Sequence, residues 1–235
     1  MPLARRLLAE FVGTALLLAT VVGSGIMGVA LSGGNDGIAL LANAAATAGA
    51  LYVLIVLFGP VSGAHFNPVV TLAMRMRGEI GKREAIAYVV VQAVAAIAGV
   101  LLAHGMFDLP LLQPGTHART GMAQWLSEAV ATFGLLLTIL LGMRHRPAAV
   151  PALVAAYIFA AYWFTASTSF ANPAVTLARS LTQTFAGIRP VDVPGFVLAQ
   201  VLGMLAGYAI ATLLAPDART QPGEEPPAVS AKDPA

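Results

Sequence analysis

Two side-chain amides set in apolar surroundings are the residues of this sequence best suited to handle a small polar molecule. Asn67 and Asn172 open the stretches Asn67-Pro68-Val69-Val70-Thr71-Leu72-Ala73 and Asn172-Pro173-Ala174-Val175-Thr176-Leu177-Ala178, which agree at six of seven positions. A primary amide offers two N–H donors and a carbonyl acceptor, so each asparagine could hold the oxygen of a passing solute. Each is also a helix-start signal, because Asn caps a first turn and Pro fits the first helical position, where its missing N–H has no partner to lose. The N-terminus of a helix carries a partial positive charge. Two such ends meeting at one point would attract an oxygen and repel a cation.

The elements that position these residues are unusual. Each predicted helix runs only about ten residues, about 15 Å, before charged or polar residues appear at 75–82 and 179–183, which is half of a ~30 Å hydrocarbon core. Around them lie six apolar stretches, approximately 7–31, 38–59, 85–103, 125–142, 150–166 and 197–215. The chain is 58% hydrophobic and 10% charged, with a mean hydropathy of +0.80, against roughly 25% charged residues in a soluble domain. The predicted fold is an all-α membrane protein of six transmembrane helices and two re-entrant half-helices, forming one domain over 1–215. Residues 216–235, rich in Pro, Ala, Glu and Asp, read as a disordered cytoplasmic tail.

Repetition extends beyond the asparagines. Leu8-Ala9-Glu10-Phe11-Val12-Gly13-Thr14 aligns with Leu126-Ser127-Glu128-Ala129-Val130-Ala131-Thr132, and Gln92 with Gly99 matches Gln200 with Gly207. The halves, about 4–105 and 122–215, each hold three spans, so an odd count sets them in opposite orientations, an inverted repeat with a pathway at the midplane. Arg5, Arg6, Arg75, Arg77, Lys82, Arg83, Arg144 and Arg146 fall on one side of the alternating spans, against Arg119, Arg179 and Arg189 on the other. By the positive-inside rule both termini are cytoplasmic, in a cell inner (plasma) membrane. Arg5-Arg6 before an apolar run could suggest a signal peptide, but the run continues past Glu10 and is echoed later, so it reads as a retained span.

Several functions are disfavoured. A formal charge of +2, with no basic run interleaved with aromatics, gives no nucleic-acid signal. The absence of cysteine removes disulfides, thiolate metal ligands and a cysteine nucleophile. The four histidines show no metal-site spacing, and neither metal nor cofactor is expected. Ser62 and His65 lack the Gly-x-Ser-x-Gly context of a hydrolase, so no enzyme activity is expected.

The two asparagine motifs, with Ser62-Gly63-Ala64-His65-Phe66 before the first, the paired glutamates and the six spans, resemble the aquaporin or major intrinsic protein family over about residues 4–215. The resemblance implies passive flow of water or small neutral solutes, through homotetramers in the lipid bilayer with one pore per subunit. It implies a pore centre at Asn67, Pro68, Val69, Asn172, Pro173 and Ala174. It gives His65 a place in the cytoplasmic vestibule and makes Glu10 and Glu128 acceptors for the non-helical backbone before each half-helix. A proton relay through the glutamates is the alternative, as in a coupled secondary transporter.

The family usually places Arg three residues after the second Asn, as the cation of a selectivity filter, and here that position is Val175. Ungapped spacing sets the other filter positions at Thr47, Ala160 and Ser169, all small or medium, which predicts a wide opening. This is similar to a bacterial branch linked to arsenic resistance, which makes arsenite, methylated arsenicals and glycerol-like polyols candidate solutes. A water-selective channel is the alternative. Arg179, four residues after Val175, lies about 40° round a helix and ~6 Å further along, on nearly the same face. It either takes over part of the missing cation's role or is an interfacial arginine. His104 reads as interfacial, and His117 and His145 as loop residues.

Overall fold

The computed structural model describes residues 1–215, and the tail predicted at 216–235 lies outside them. Among the described residues there are eight α-helices: α1 (Leu3–Leu31), α2 (Asp36–Ser62), α3 (Pro68–Met76), α4 (Lys82–Met106), α5 (Met122–His145), α6 (Val150–Phe164), α7 (Pro173–Arg179) and α8 (Val193–Leu214). Single 3₁₀ turns, Pro147–Ala149 and Pro190–Asp192, lead into α6 and α8. Six helical segments are long and apolar enough to cross a membrane. Several run a turn beyond their apolar stretches, because backbone bonding continues into the interface where polar side chains are solvated.

The two halves pack alike. α1 lies against α2 and α4, α5 lies against α6 and α8, and α2 meets α6 between the halves. The short helices interlock them, with α3 touching both α4 and α8 and α7 touching both α8 and α4. Gly99 on α4 and Gly207 on α8 occupy matching crossings. A Cβ on Gly99 would stand 2.2 Å from Ala15 O, and one on Gly207 would stand 2.7 Å from Phe133 O. Small residues permit such backbone approach in membrane bundles, where packing rather than the hydrophobic effect holds helices together. Gly99→Ala is therefore expected to cost about 1–3 kcal/mol by overpacking. The check is the thermal midpoint of the detergent-solubilised protein, which should fall, whereas Gly49→Ala, whose Cβ would meet nothing within 4 Å, should leave it unchanged.

Both half-helices begin as the sequence predicts. Asn67 Oδ1 accepts the Val69 N–H at 3.0 Å, and Asn172 Oδ1 accepts from Ala174 and Val175 at 3.0 and 3.3 Å. α3 has nine residues and α7 seven. α7 is the shorter because the chain turns at Ser180, whose N–H bonds Leu177 O at 3.2 Å and whose hydroxyl bonds the same carbonyl at 2.6 Å.

Candidate functional site

The segments leading into α3 and α7 have an unusual backbone. Ala64 and Phe66 have φ of 49° and 48°, and Ser169 and Ala171, at the matching positions three and one before each asparagine, have 51° and 47°. Non-glycine residues in this region are strained by about 1–3 kcal/mol each and persist only where surroundings impose them. Here the surroundings are the paired glutamates. Glu10 accepts from the N–H groups of His65 and Phe66 at 3.0 and 2.8 Å, from the Ser62 hydroxyl at 2.7 Å and from Gln92 Nε2 at 2.8 Å. Glu128 accepts from Phe170 and Ala171 N–H, both at 2.9 Å, and from Gln200 Nε2 at 2.6 Å. The same glutamines reach Thr71 and Thr176 on the half-helices, at 2.9 and 2.8 Å. Both glutamates are fully buried, and neither lines the cavity described below.

The half-helices meet end to end through reciprocal bonds. Asn67 Nδ2 donates to Ala171 O and Asn172 Nδ2 donates to Phe66 O, each at 2.8 Å. One N–H of each amide is thereby fixed, which sets the direction of the other. Both asparagines line a cavity of about 560 Å³ that passes between the two halves, from Glu79 and Pro147 at one end to Arg179 at the other. The backbone runs 63–66 and 169–171 line it too, with their N–H groups turned to acceptors inside the protein, Glu10 and Glu128 among them.

The structure brings together most of the residues picked from the sequence. Thr47, His65, Ser169, Val175 and Arg179 all line the cavity, and Pro68, Val69, Pro173 and Ala174 form the first turns behind the asparagines. His65 Nδ1 lies 3.1 Å from Thr71 Oγ1. Ala160 does not belong with them: it is exposed and away from the cavity. The cavity face of α6 carries Val154, Ile158 and Tyr162, spaced by one helical turn, and a residue two past Ile158 points about 200° away. The α6 wall beside Thr47 is therefore Tyr162, whose hydroxyl donates to Thr47 Oγ1 at 3.3 Å, and the mouth is not walled by small side chains alone.

Arg179 is not an interfacial side chain, since only 2% of it is exposed. Its Nε donates to Ala186 O, and its guanidinium carbon sits 3.4 Å from the centre of the Phe170 ring. Arg119, read from the sequence only as a loop cation, is also buried. Its guanidinium lies 5.0 Å from the same ring and donates to Gly187 O and Ser167 O at 2.9 and 3.1 Å. Burial lowers its pKa to about 10, which leaves it cationic at neutral pH. His104 also departs from its interfacial reading. It is fully buried between Leu111 O and Thr182 Oγ1, both at 2.8 Å, and ties two loops. Among the described residues no group of His, Asp and Glu side chains could hold a metal.

A sequence profile described as Major intrinsic protein matches residues 1–163, more than half of the chain. The chain belongs to the major intrinsic protein family. Relatives of this family pass water and small neutral solutes through membranes. Aquaglyceroporin AqpS of Rhizobium meliloti (strain 1021) is 57% identical over 217 residues, covering 92% of this chain and 93% of that protein. Probable aquaporin PIP2-8 of Arabidopsis thaliana is 32% identical over 142 residues, covering 57% of this chain and 51% of that protein. The X-ray structure of the aquaglyceroporin from Plasmodium falciparum shares the fold, with a TM-score of 0.71 at 17% identity, covering 90% of this chain and 95% of that one. As a major intrinsic protein with six membrane-capable segments, this is a multi-pass membrane protein.

Proposed function

We propose that this major intrinsic protein is a passive channel for small uncharged solutes: glycerol-like polyols, metalloid acids such as arsenite in its As(OH)₃ form, methylated arsenicals, and water. The observation that carries the reading is Val175. It is buried and lines the cavity one helical turn before Arg179, so a non-polar side chain stands where the family resemblance calls for an arginine. The 57% identical AqpS is itself called an aquaglyceroporin, which supports a polyol-sized solute. In this reading both termini are cytoplasmic, the α7 mouth opens outward, and the working assembly is a homotetramer in the inner (plasma) membrane with a pore in each subunit.

The mechanism follows from the centre. A solute hydroxyl reaching Asn67 and Asn172 accepts their remaining N–H groups while helix N-termini from both sides hold its oxygen toward them. A water so held has both lone pairs engaged and cannot accept a proton from a neighbour, and a cation meets two positive helix ends. Pore diameter and lining donors then sort neutral solutes, the means that aquaporin-type pores use in general. The glutamates are engaged as acceptors for backbone and glutamine donors, which supports a structural role over a proton relay.

Light scattering from proteoliposomes tests this. Vesicles holding the protein are expected to swell in an isosmotic glycerol or arsenite gradient, without any ion gradient, faster than protein-free vesicles. Fast water efflux with no solute entry would instead favour the water-selective reading, for which the contact of Tyr162 with Thr47 is the specific support. Flux that requires a proton or sodium gradient would overturn both.

A further inference from the structure

The α7 mouth holds two buried guanidinium groups, and among the described residues neither forms an ion pair with a carboxylate. Asp192 accepts the Arg119 backbone N–H at 2.8 Å, and no bond from it to the Arg119 guanidinium is formed among the described residues. Its oxygens are already held by Arg189 at 2.9 and 3.0 Å. Glu128 is occupied by Phe170, Ala171 and Gln200. The positive field extends to the loop, where burial first, and then Arg119 and Arg179, lower the pKa of His117. A buried charge lacking a counter-charge is costly, and an anion placed beside it relieves that cost.

The two arginines contribute differently. Arg119 commits Nε and Nη1 to Gly187 and Ser167 and is not among the residues lining the cavity, so it supplies charge and holds the loop. Arg179 spends only Nε, on Ala186, and lines the cavity, so its two terminal nitrogens have no protein acceptor among the described residues. Stacking on Phe170 fixes the guanidinium plane. A guanidinium edge so fixed matches two oxygens of one acid group. A second observation points to the same ligand. Ser169, 3% exposed, lines the same cavity, and its buried Oγ has no hydrogen-bond partner among the described residues.

We propose that Arg179, with Ser169 below it and Arg119 behind it, forms an oxyanion-binding site at the α7 mouth for a small monovalent acid of the carboxylate or sulfonate kind. The site lies one helical turn beyond Val175, so charge is read at one level of the mouth and size at another. Such an acid would occupy the entrance and hinder neutral solutes behind it.

Methanesulfonate, which stays anionic at all working pH values, is the probe. Purified protein in detergent is melted in sodium chloride with increasing shares replaced by sodium methanesulfonate at fixed ionic strength. A ligand that binds only the folded state raises the melting temperature as it saturates. Wild type is expected to show a saturable rise, Arg179→Met to require at least about tenfold more methanesulfonate, and Arg119→Met to be weakened less. No saturable rise in wild type, or an equal rise in Arg179→Met, overturns the site. If Arg179→Met does not fold, Arg179→Lys decides, because it keeps the charge without the fork: a several-fold weaker titration supports the site and an unchanged one overturns it. The melt does not depend on transport, so a failure of glycerol swelling would remove the channel reading alone.

Discussion

Val175→Arg is expected to cut glycerol flux through proteoliposomes at least about tenfold, the effect of any added barrier of ~1.4 kcal/mol or more, and to cut water flux much less. The side chain is buried against the cavity, with Tyr162, Ser169 and Phe170 among the other lining residues. An arginine there has nowhere to extend except across the passage. Charge adds to bulk, because position 175 lies one turn, about 6 Å, from Arg179, and two like charges at that distance repel by about 3 kcal/mol at an effective dielectric of about 20. That repulsion is a physical reason for a neutral residue at 175 when 179 is Arg. The double variant Val175→Arg with Arg179→Met should accordingly be more stable than Val175→Arg alone. Equal relative losses of glycerol and water flux would count against size control at this position.

Glu128→Ala should prevent accumulation of folded protein, read as loss of the monodisperse peak in detergent chromatography. The substitution strips the acceptor from the Phe170 and Ala171 N–H groups and from Gln200 at once. Each buried donor left unsatisfied costs about 1–3 kcal/mol, and the three together approach the 5–15 kcal/mol by which a typical protein is stable. Glu128→Gln should fail nearly as badly, because one of its two terminal atoms becomes a donor facing a donor. A coupled transporter predicts the opposite: a well-folded Glu128→Gln protein with uncoupled transport. Finding that protein folded, with transport that no longer follows an ion gradient the wild type requires, would return the glutamates to a proton relay.

Much of this arrangement is legible in the sequence because it is carried by local rules applied twice. Asn before Pro starts a helix wherever it falls, so Asn67 and Asn172 fix both half-helices, and the identity of six of seven residues between copies fixes their equivalence. Glu10 and Glu128 stand out because a carboxylate within an apolar span needs a reason, and their matching positions supply it. Arg179 could be put near the mouth because it shares a short helix with Val175. Tyr162 could not be found this way. Counting back from a motif across the irregular stretch 165–172 gives a position along the chain but no rotation for α6, and an error of two residues turns a wall residue toward the outside. Arg119 and His104 were hidden for a different reason. Both act through contacts to loops, Arg119 with partners 48 and 68 residues away and His104 with one 78 residues away, and nothing periodic announces such a meeting.

The crossed bonds from Asn67 to Ala171 and from Asn172 to Phe66 also bear on how such a molecule can be put together. Neither three-span half can complete its own centre, since the carbonyl its asparagine needs belongs to the other. Two separate polypeptides, divided in the connection at 107–121, would have to find each other while inserted in opposite senses. A single half could pair with itself only by entering the bilayer both ways up. Loop charges commit each segment to one sense of insertion. Tethering the halves in one chain therefore guarantees that every molecule contains one of each.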